Sequence, residues 1–281
     1  MEDQEQIVLC NLTEKENVST QIDEDTFPSL DQVEDIISYK FNNKGLLEEA
    51  FTHSSYCEKL SYERLEYVGD SALNLLFTKE QYFMYPGLPP GSLTLLRSAN
   101  VDTEKLARVA IKLGLHKFLR HKKPLLEEQV QEFSKAILNF PLHSNGLIDV
   151  PKDLADIIES TVGAVFIDSH CSIDTVWKVF KLLLEPFISL ETLKKHPRTE
   201  LNEVCQKHKM KLDFVDVWSM SKGIDVFVDD RLMGRGTCAL KKDIAQNRAA
   251  SDALNNIEKM LNEKLDHQDL QSLGQTSSFG T

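Results

Sequence analysis

Glu63, Glu66 and Asp70 stand in the stretch Glu63-Arg64-Leu65-Glu66-Tyr67-Val68-Gly69-Asp70-Ser71, at spacings of three, four and seven residues. That spacing puts all three carboxylates on one face of a helix, where like charges repel. Hydration of a plain acidic stripe would relieve the repulsion, and so would a divalent cation. The neighbours Leu65, Val68, Ala72, Leu73, Leu75, Leu76 and Phe77 argue for a buried helix rather than a solvated one. Asp156 and Glu159 form a second pair, three residues apart on the apolar stretch Asp153 to Asp168. Taken alone this pair reads equally as surface charge. Ala155 and Gly163 beside it are small enough to let another helix approach closely. If the two acidic helices pack together, Glu66, Asp70, Asp156 and Glu159 converge. Clustered carboxylates cannot all ionise without a cation. An oxygen-only set suits Mg²⁺, with Mn²⁺ as a substitute, rather than zinc. Such an ion would lower the pKa of a bound water and neutralise charge developing on a phosphate. The rival for an acidic helical bundle, a di-iron site built on Glu-x-x-His, has no such motif here.

Elements to position these groups can be read along the chain. Ser29-Leu30-Asp31-Gln32 has the form of a capping box and opens a helix through Val33, Ile36 and Ile37. A short helix covers Leu46, Leu47, Ala50 and Phe51, and the acidic helix precedes the break Pro86-Gly87-Leu88-Pro89-Pro90-Gly91. Residues 93–113 read as one helix stopped by Gly114, residues 126–138 as another, and Ile173 to Leu184 as the last of an all-α half. After residue 197 the period changes. A helix over 199–208 is followed by alternating Leu212–Trp218 and Ile224–Val228, a third strand Leu232–Cys238, and a closing helix over 241–261. The expected fold is multi-domain: an all-α domain over 30–187, a linker 188–197, and a small α+β module of order α-β-β-β-α over 198–262.

The net charge of −12 argues against a nucleic-acid binder until its distribution is seen. Residues 1–30 carry −7 and residues 263–281 carry −2, which leaves −3 for the remainder. Both ends, 1–29 and 263–281, lack helical or strand period and are expected to be disordered. No apolar run reaches the roughly 18 residues of a membrane span, and no secretory or transit pattern opens the chain. Cys10, Cys57, Cys171, Cys205 and Cys238 are scattered and odd in number, which fits reduced thiols in the nucleus or cytoplasm.

The stretch Glu63–Ser71 resembles the signature helix of the ribonuclease III family. The resemblance extends upstream through Tyr39-x-Phe41, Leu46-Leu47, Ala50 and Thr52-His53-Ser54-Ser55-Tyr56, and downstream through Leu93-Thr94-x-Leu96-Arg97-Ser98-Ala99. It closes in Leu154-Ala155-Asp156-Ile157-Ile158-Glu159-Ser160 and Gly163-Ala164-Val165-Phe166. The Pro151-Lys152 step looks eukaryotic, and the chain is most similar to the plant three-like group. The resemblance implies a metal-dependent endonuclease that cuts double-stranded RNA as a homodimer, leaving 5′-phosphates and 3′-hydroxyls, with no small-molecule cofactor. It implies metal contact for Glu66, Asp70, Asp156 and Glu159, support for Glu63, a phosphate contact for Lys152, and a place in the partner subunit for Tyr67. A catalytically silent duplex-RNA binder that kept the fold is the alternative.

The second module looks like a double-stranded RNA binding domain. Glu203 and Gln206 match its first helix, Gly234-Arg235-Gly236 its last hairpin, and Lys241-Lys242-x-Ile244-Ala245 the start of its last helix. The two lysines sit where a helix N-terminus also favours phosphate. In place of the family's Gly-Pro-x-His loop stands Ser219-Met220-Ser221-Lys222-Gly223. Residues 196–262 hold eleven bases and ten acids, so modest, salt-sensitive affinity is expected. The basic cluster His116, Lys117, Arg120, His121, Lys122 and Lys123 reads either as a phosphate contact or as a solvated face. Cys238 would weaken RNA binding on oxidation if exposed, and would be inert if buried.

Overall fold

The computed structural model describes residues 27–57 and 59–276, the segment 262–276 as backbone only. The acidic N-terminal segment expected to be disordered lies outside the described residues up to position 26. Phe27 packs edge-on against Tyr56, with 5.6 Å between ring centroids. Helix α1 (Asp31–Ile37) opens with the Ser29 hydroxyl accepting the Asp31 N–H, one residue short of the expected box contact. In α2 (Lys44–Ala50) the Asn43 side chain takes the Gly45 N–H at 3.0 Å. The acidic helix α3 runs Glu63–Met84.

The stretch expected as one helix over 93–113 is two, α4 (Pro90–Val101) and α5 (Thr103–Leu113). Asp102 between them is extended, and its carboxylate accepts the Lys105 N–H at 2.7 Å. An N-cap embedded in an apolar period is what hydrophobic counting overlooks. Gly114 ends α5 in the left-handed region, φ 71°, as expected. Helices α6 (Leu126–Ala136), α7 (Lys152–Asp168) and α8 (Ile173–Phe180) complete the all-α half. Before α7, the 141–151 segment is pinned by buried Glu104, which accepts the Ser144 N–H (2.8 Å) and hydroxyl (2.5 Å).

Helix α7 is the axis of this half. Its Leu154, Ile157, Ile158, Val162 and Val165 are buried in one core with Leu65, Leu73 and Leu76 of α3 and Leu106 and Val109 of α5. Leu75, expected on the buried side, faces solvent at 55% exposure. The α3–α7 crossing is closer than any side chain would allow. A Cβ on Gly69 would stand 1.7 Å from the Glu159 carbonyl oxygen, and one on Gly163 would stand 2.1 Å from that of Leu65. The two glycines are thus the point where the backbones touch.

The second half has its own core, built from α9 (Pro197–Lys207), strands β1 (Leu212–Val217), β2 (Gly223–Val228) and β3 (Arg231–Thr237), and α11 (Lys242–Thr276). The sheet is antiparallel in order β1-β2-β3, with Asp225 opposite Arg235. A single helical turn, α10 (Trp218–Ser221), fills the β1–β2 connection. Helix α11 continues to Thr276, through residues expected to be disordered. The segment lacks apolar period, but holds no proline and is made largely of residues that tolerate a helix.

Placing a methyl at the crossing must push the helices apart. Gly163→Ala is expected to cost about 3 kcal/mol, at the upper end for overpacking, measured by urea denaturation. An unchanged midpoint would show that the contact tolerates a Cβ.

Candidate active site

The glycine crossing sets the register of the acidic residues, which lie within about two helical turns of it. From α3 come Glu66 and Asp70, and from α7 come Asp156 and Glu159. Carboxylate oxygens of Glu66, Asp156 and Glu159 lie within 4.8 Å of one another. Glu63, Tyr67, Asp70, Thr103, Lys152 and Ala155 complete the lining of a cleft of about 320 Å³. The fourth expected carboxylate, Asp70, lines the cleft without joining the tight group. Asn74, one turn further on, donates to its Oδ1 at 2.9 Å and holds it along its own helix. Glu63 is exposed and accepts from the Ser61 hydroxyl at 3.3 Å.

Lys152 is the cation of the site. Its ammonium lies 2.7 Å from Glu66 Oε1 and 2.5 Å from Asp156 Oδ1. These hydrogen bonds hold its pKa above the usual lysine value despite burial. Burial, followed by Asp156, Asp70 and Glu66, pushes the Glu159 carboxyl up to about 8. Burial likewise raises Asp156, against the opposing pull of Lys152. A group of negative oxygens, one of them kept protonated near neutrality and two already gathered about an ammonium, fits a hard divalent ion.

Three residues of this region escaped the sequence reading. Thr103 was hidden inside the apparent single helix. Tyr62 and Asp153 flank the motifs by one and three residues. The tyrosine hydroxyl reaches Asp156 Oδ2 at 3.1 Å, and Asp153 is paired with Lys123 at 2.7 Å.

The basic cluster does not form one face. Arg120 turns inward to Glu48 (2.6 Å) and Lys123 to Asp153, while Lys117 and Lys122 are exposed. In the second module each expected RNA-contacting cation already has a carboxylate. Arg235 makes two bonds to Asp225, at 2.8 and 3.0 Å, on the sheet face away from the helices. Gly234 and Gly236 beside it lie against α11, where a Cβ would stand 2.3 Å from the carbonyl oxygens of Ala249 and Ala245. Lys242 pairs with Asp216, and Glu203 pairs with Lys195. Gln206 is exposed. Lys241 reaches the other domain, 2.6 Å from Asp149 Oδ1. Beside it Arg248 donates to the Leu147 carbonyl (2.9 Å) and Asn247 to that of Gly146 (3.2 Å). Cys238 is partly buried against the second core. Among the described residues no helix is long and apolar enough to cross a membrane.

Residues 63–170 match the ribonuclease III domain, and residues 197–257 match the double-stranded RNA binding motif. The pairing of these two units defines the class: a ribonuclease III-type endoribonuclease with an attached duplex-RNA binding module. Ribonuclease 3-like protein 3 of Oryza sativa subsp. japonica is 48% identical over 82% of this chain and 78% of its own. Ribonuclease 3-like protein 2 of Arabidopsis thaliana is 44% identical over 82% of this chain, which spans 60% of that protein. Endoribonuclease Dicer homolog 1 of Arabidopsis thaliana is 42% identical over 83% of this chain, but only 13% of its own length is matched. The chain belongs to the ribonuclease III family and is similar over most of its length to plant ribonuclease 3-like proteins. Nuclease domains of this family generally depend on divalent metal.

The raised Glu159 has a consequence for stability. In the metal-free fold this carboxyl binds its proton more tightly than in the unfolded chain. Its contribution to stability is therefore present below its ordinary value of 4.5 and lost as pH rises to about 8. In EDTA the wild type should lose melting temperature between pH 5 and pH 8 more steeply than Glu159→Gln. Equal slopes in differential scanning calorimetry would refute the assignment.

Proposed function

We propose that the protein is a divalent-metal-dependent endoribonuclease that hydrolyses both strands of duplex RNA to 5′-phosphate and 3′-hydroxyl ends. The observation that carries this reading is the convergence of Glu66, Asp156 and Glu159 in one cleft, on two helices locked by a glycine contact. These three, with Asp70 beside them, would hold Mg²⁺, or Mn²⁺ in its place. When bound, the ion supplies an activated water and neutralises charge on the phosphate under attack. Glu63 supports the set from the cleft wall. Lys152, released from its two carboxylates, offers its ammonium to a phosphate oxygen of the RNA. The chain's own tasks are thus to fix the donors, to keep Asp156 oriented, and to set one cation beside the cleft.

The module over α9–α11 grips the duplex by shape and 2′-hydroxyls. In this reading Lys241 and Lys242, with the α11 N-terminus behind them, meet phosphates, and Glu203 and Gln206 face the minor groove. Arg235 supports the sheet through Asp225 more than it supports the RNA. Two copies of the chain would join along α3, where Tyr67, Leu75 and Tyr82 are 77%, 55% and 68% exposed. They follow one another by about two helical turns each. Tyr67 also lines the cleft, so a partner seated on this stripe would close against the site.

Long duplex RNA incubated with purified protein should be cut in Mg²⁺ and left whole in EDTA. Glu159→Gln and Asp70→Asn should lose cleavage while binding RNA as the wild type does. Tyr67→Asp should sediment as a monomer. Retained binding with no Mg²⁺-dependent cleavage by the wild type would make the chain a silent duplex binder instead.

The pairing of Lys241 with Asp149 makes a separate prediction. RNA phosphate must displace that carboxylate, a half-exposed partner in a solvent-screened pair worth at most about 1 kcal/mol. Asp149→Asn should bind a duplex about three- to five-fold tighter in EDTA, by fluorescence anisotropy, and Lys241→Glu should bind it more weakly. Unchanged affinity in both would remove Lys241 from the RNA surface.

A further inference from the structure

Behind the acidic cleft lies a buried polar network that the metal-binding reading leaves without a task. Tyr62, 3% exposed, stands at the cap of α3. Its backbone N–H donates to the Thr52 carbonyl at 2.9 Å, and its ring packs edge-on against His53, with 5.6 Å between centroids. So fixed, the phenol reaches across the helix crossing to α7. Its hydroxyl oxygen lies 3.1 Å from Asp156 Oδ2 and 3.4 Å from Asp153 Oδ1.

A phenol has a single hydrogen to donate, so the two carboxylates compete for it. Asp153, 4% exposed, is served from elsewhere. Lys123 Nζ lies 2.9 and 2.7 Å from its two oxygens, and His53 Nε2 lies 3.3 Å from Oδ1. Asp156 is served differently. Its Oδ1 meets the Lys152 ammonium that it shares with Glu66, and its Oδ2 meets the tyrosine.

We propose that Tyr62 is a positioning residue for metal binding. Its hydroxyl fixes the Asp156 carboxylate, and the Lys123–Asp153 pair leaves that hydrogen to Asp156. The proposal rests on the metal-dependent reading above. Ligating carboxylates are normally held by a second partner, and removing that partner costs roughly 10- to 100-fold in metal affinity. With Oδ2 tethered, Oδ1 is turned toward the oxygens of Glu66. Without the tether the carboxylate can rotate about its own bond, and the shared face is lost part of the time. The ring supplies packing and the hydroxyl supplies orientation, so Tyr62→Phe separates the two roles.

Mn²⁺ binding counted by electron paramagnetic resonance tests this without any turnover. Tyr62→Phe should bind Mn²⁺ about tenfold more weakly than the wild type, with RNA binding in EDTA unchanged and cleavage restored by raising Mn²⁺. Lys123→Met should weaken Mn²⁺ binding in the wild-type background and have little further effect in Tyr62→Phe, because both act on one hydrogen. A Tyr62→Phe protein that melts lower but titrates with Mn²⁺ like the wild type would reduce the residue to packing. Equal effects of Lys123→Met in both backgrounds would sever it from the tyrosine. Wild-type protein that binds no Mn²⁺ would overturn the metal-dependent reading and this inference with it.

Discussion

The contact between Gly69 and Gly163 is the constraint on which the rest depends. Two backbones meet there with no room for a side chain, so the axial register of α3 on α7 has no freedom. Because Cβ directions repeat every three to four residues, fixing that point fixes Glu66 and Asp70 against Asp156 and Glu159. The apolar core around Leu65, Leu73, Leu154 and Ile158 drives the helices together, but it would accept small slides that the glycines forbid. The acidic cluster is therefore held by packing against its own repulsion. Burial, and after it that repulsion, pushes the Glu159 carboxyl up to about 8.

A site built this way must deal with its charge in the absence of metal, and the chain does so internally. Lys152 bridges Glu66 and Asp156, Glu159 retains a proton near neutrality, and Asn74 turns Asp70 aside. Each device is reversible. A lysine on a flexible stem can leave, a proton can dissociate, and an amide can give up a bond, whereas the helix crossing cannot shift. Rigidity is placed in the backbone and adaptability in the side chains that a cation would displace.

Much of this was legible in the sequence because it rests on local period. Carboxylate spacing gave the shared helix face, alternation around Leu212 and Ile224 gave the sheet, and Gly163 marked where a helix could come close. What was not legible depends on the third dimension. The N-cap at Asp102 lies inside an unbroken apolar rhythm, so α4 and α5 read as one and Thr103 was missed. Leu75 has the same residue type as its buried neighbours, and only the position of α7 decides that it faces outward. Tyr62 and Asp153 carry no pattern of their own. Their meaning comes from a distance across two helices that are ninety residues apart in the chain. The closing helix failed in the opposite direction: amphipathic period was demanded of a segment whose backbone needs only an absence of breakers.

The binding module follows the same logic of occupied charges. Lys241, Lys242 and Arg235 each rest on a carboxylate, and the first of these carboxylates, Asp149, belongs to the nuclease half. Asp149 lies three residues before Lys152, whose ammonium rests on the cleft. One short segment thus links the occupied Lys241 of the binding module to the occupied acidic cleft. The Lys241 pair is open to water, and the Lys152 ammonium is itself solvent-exposed although its partner Asp156 is buried, so the first link is weak in salt and the second has a cation within reach of an incoming anion. A polyanion can outcompete them because it offers many charges at once, where each protein carboxylate offers one. In the proposed reading duplex RNA is such a ligand at the module, and its phosphate is such a ligand at Lys152. A chain of net charge −12 can therefore serve RNA: what the ligand meets is the local cation it can win, and Lys152, Lys241 and Lys242 each rest on a carboxylate that a stronger polyanion can replace.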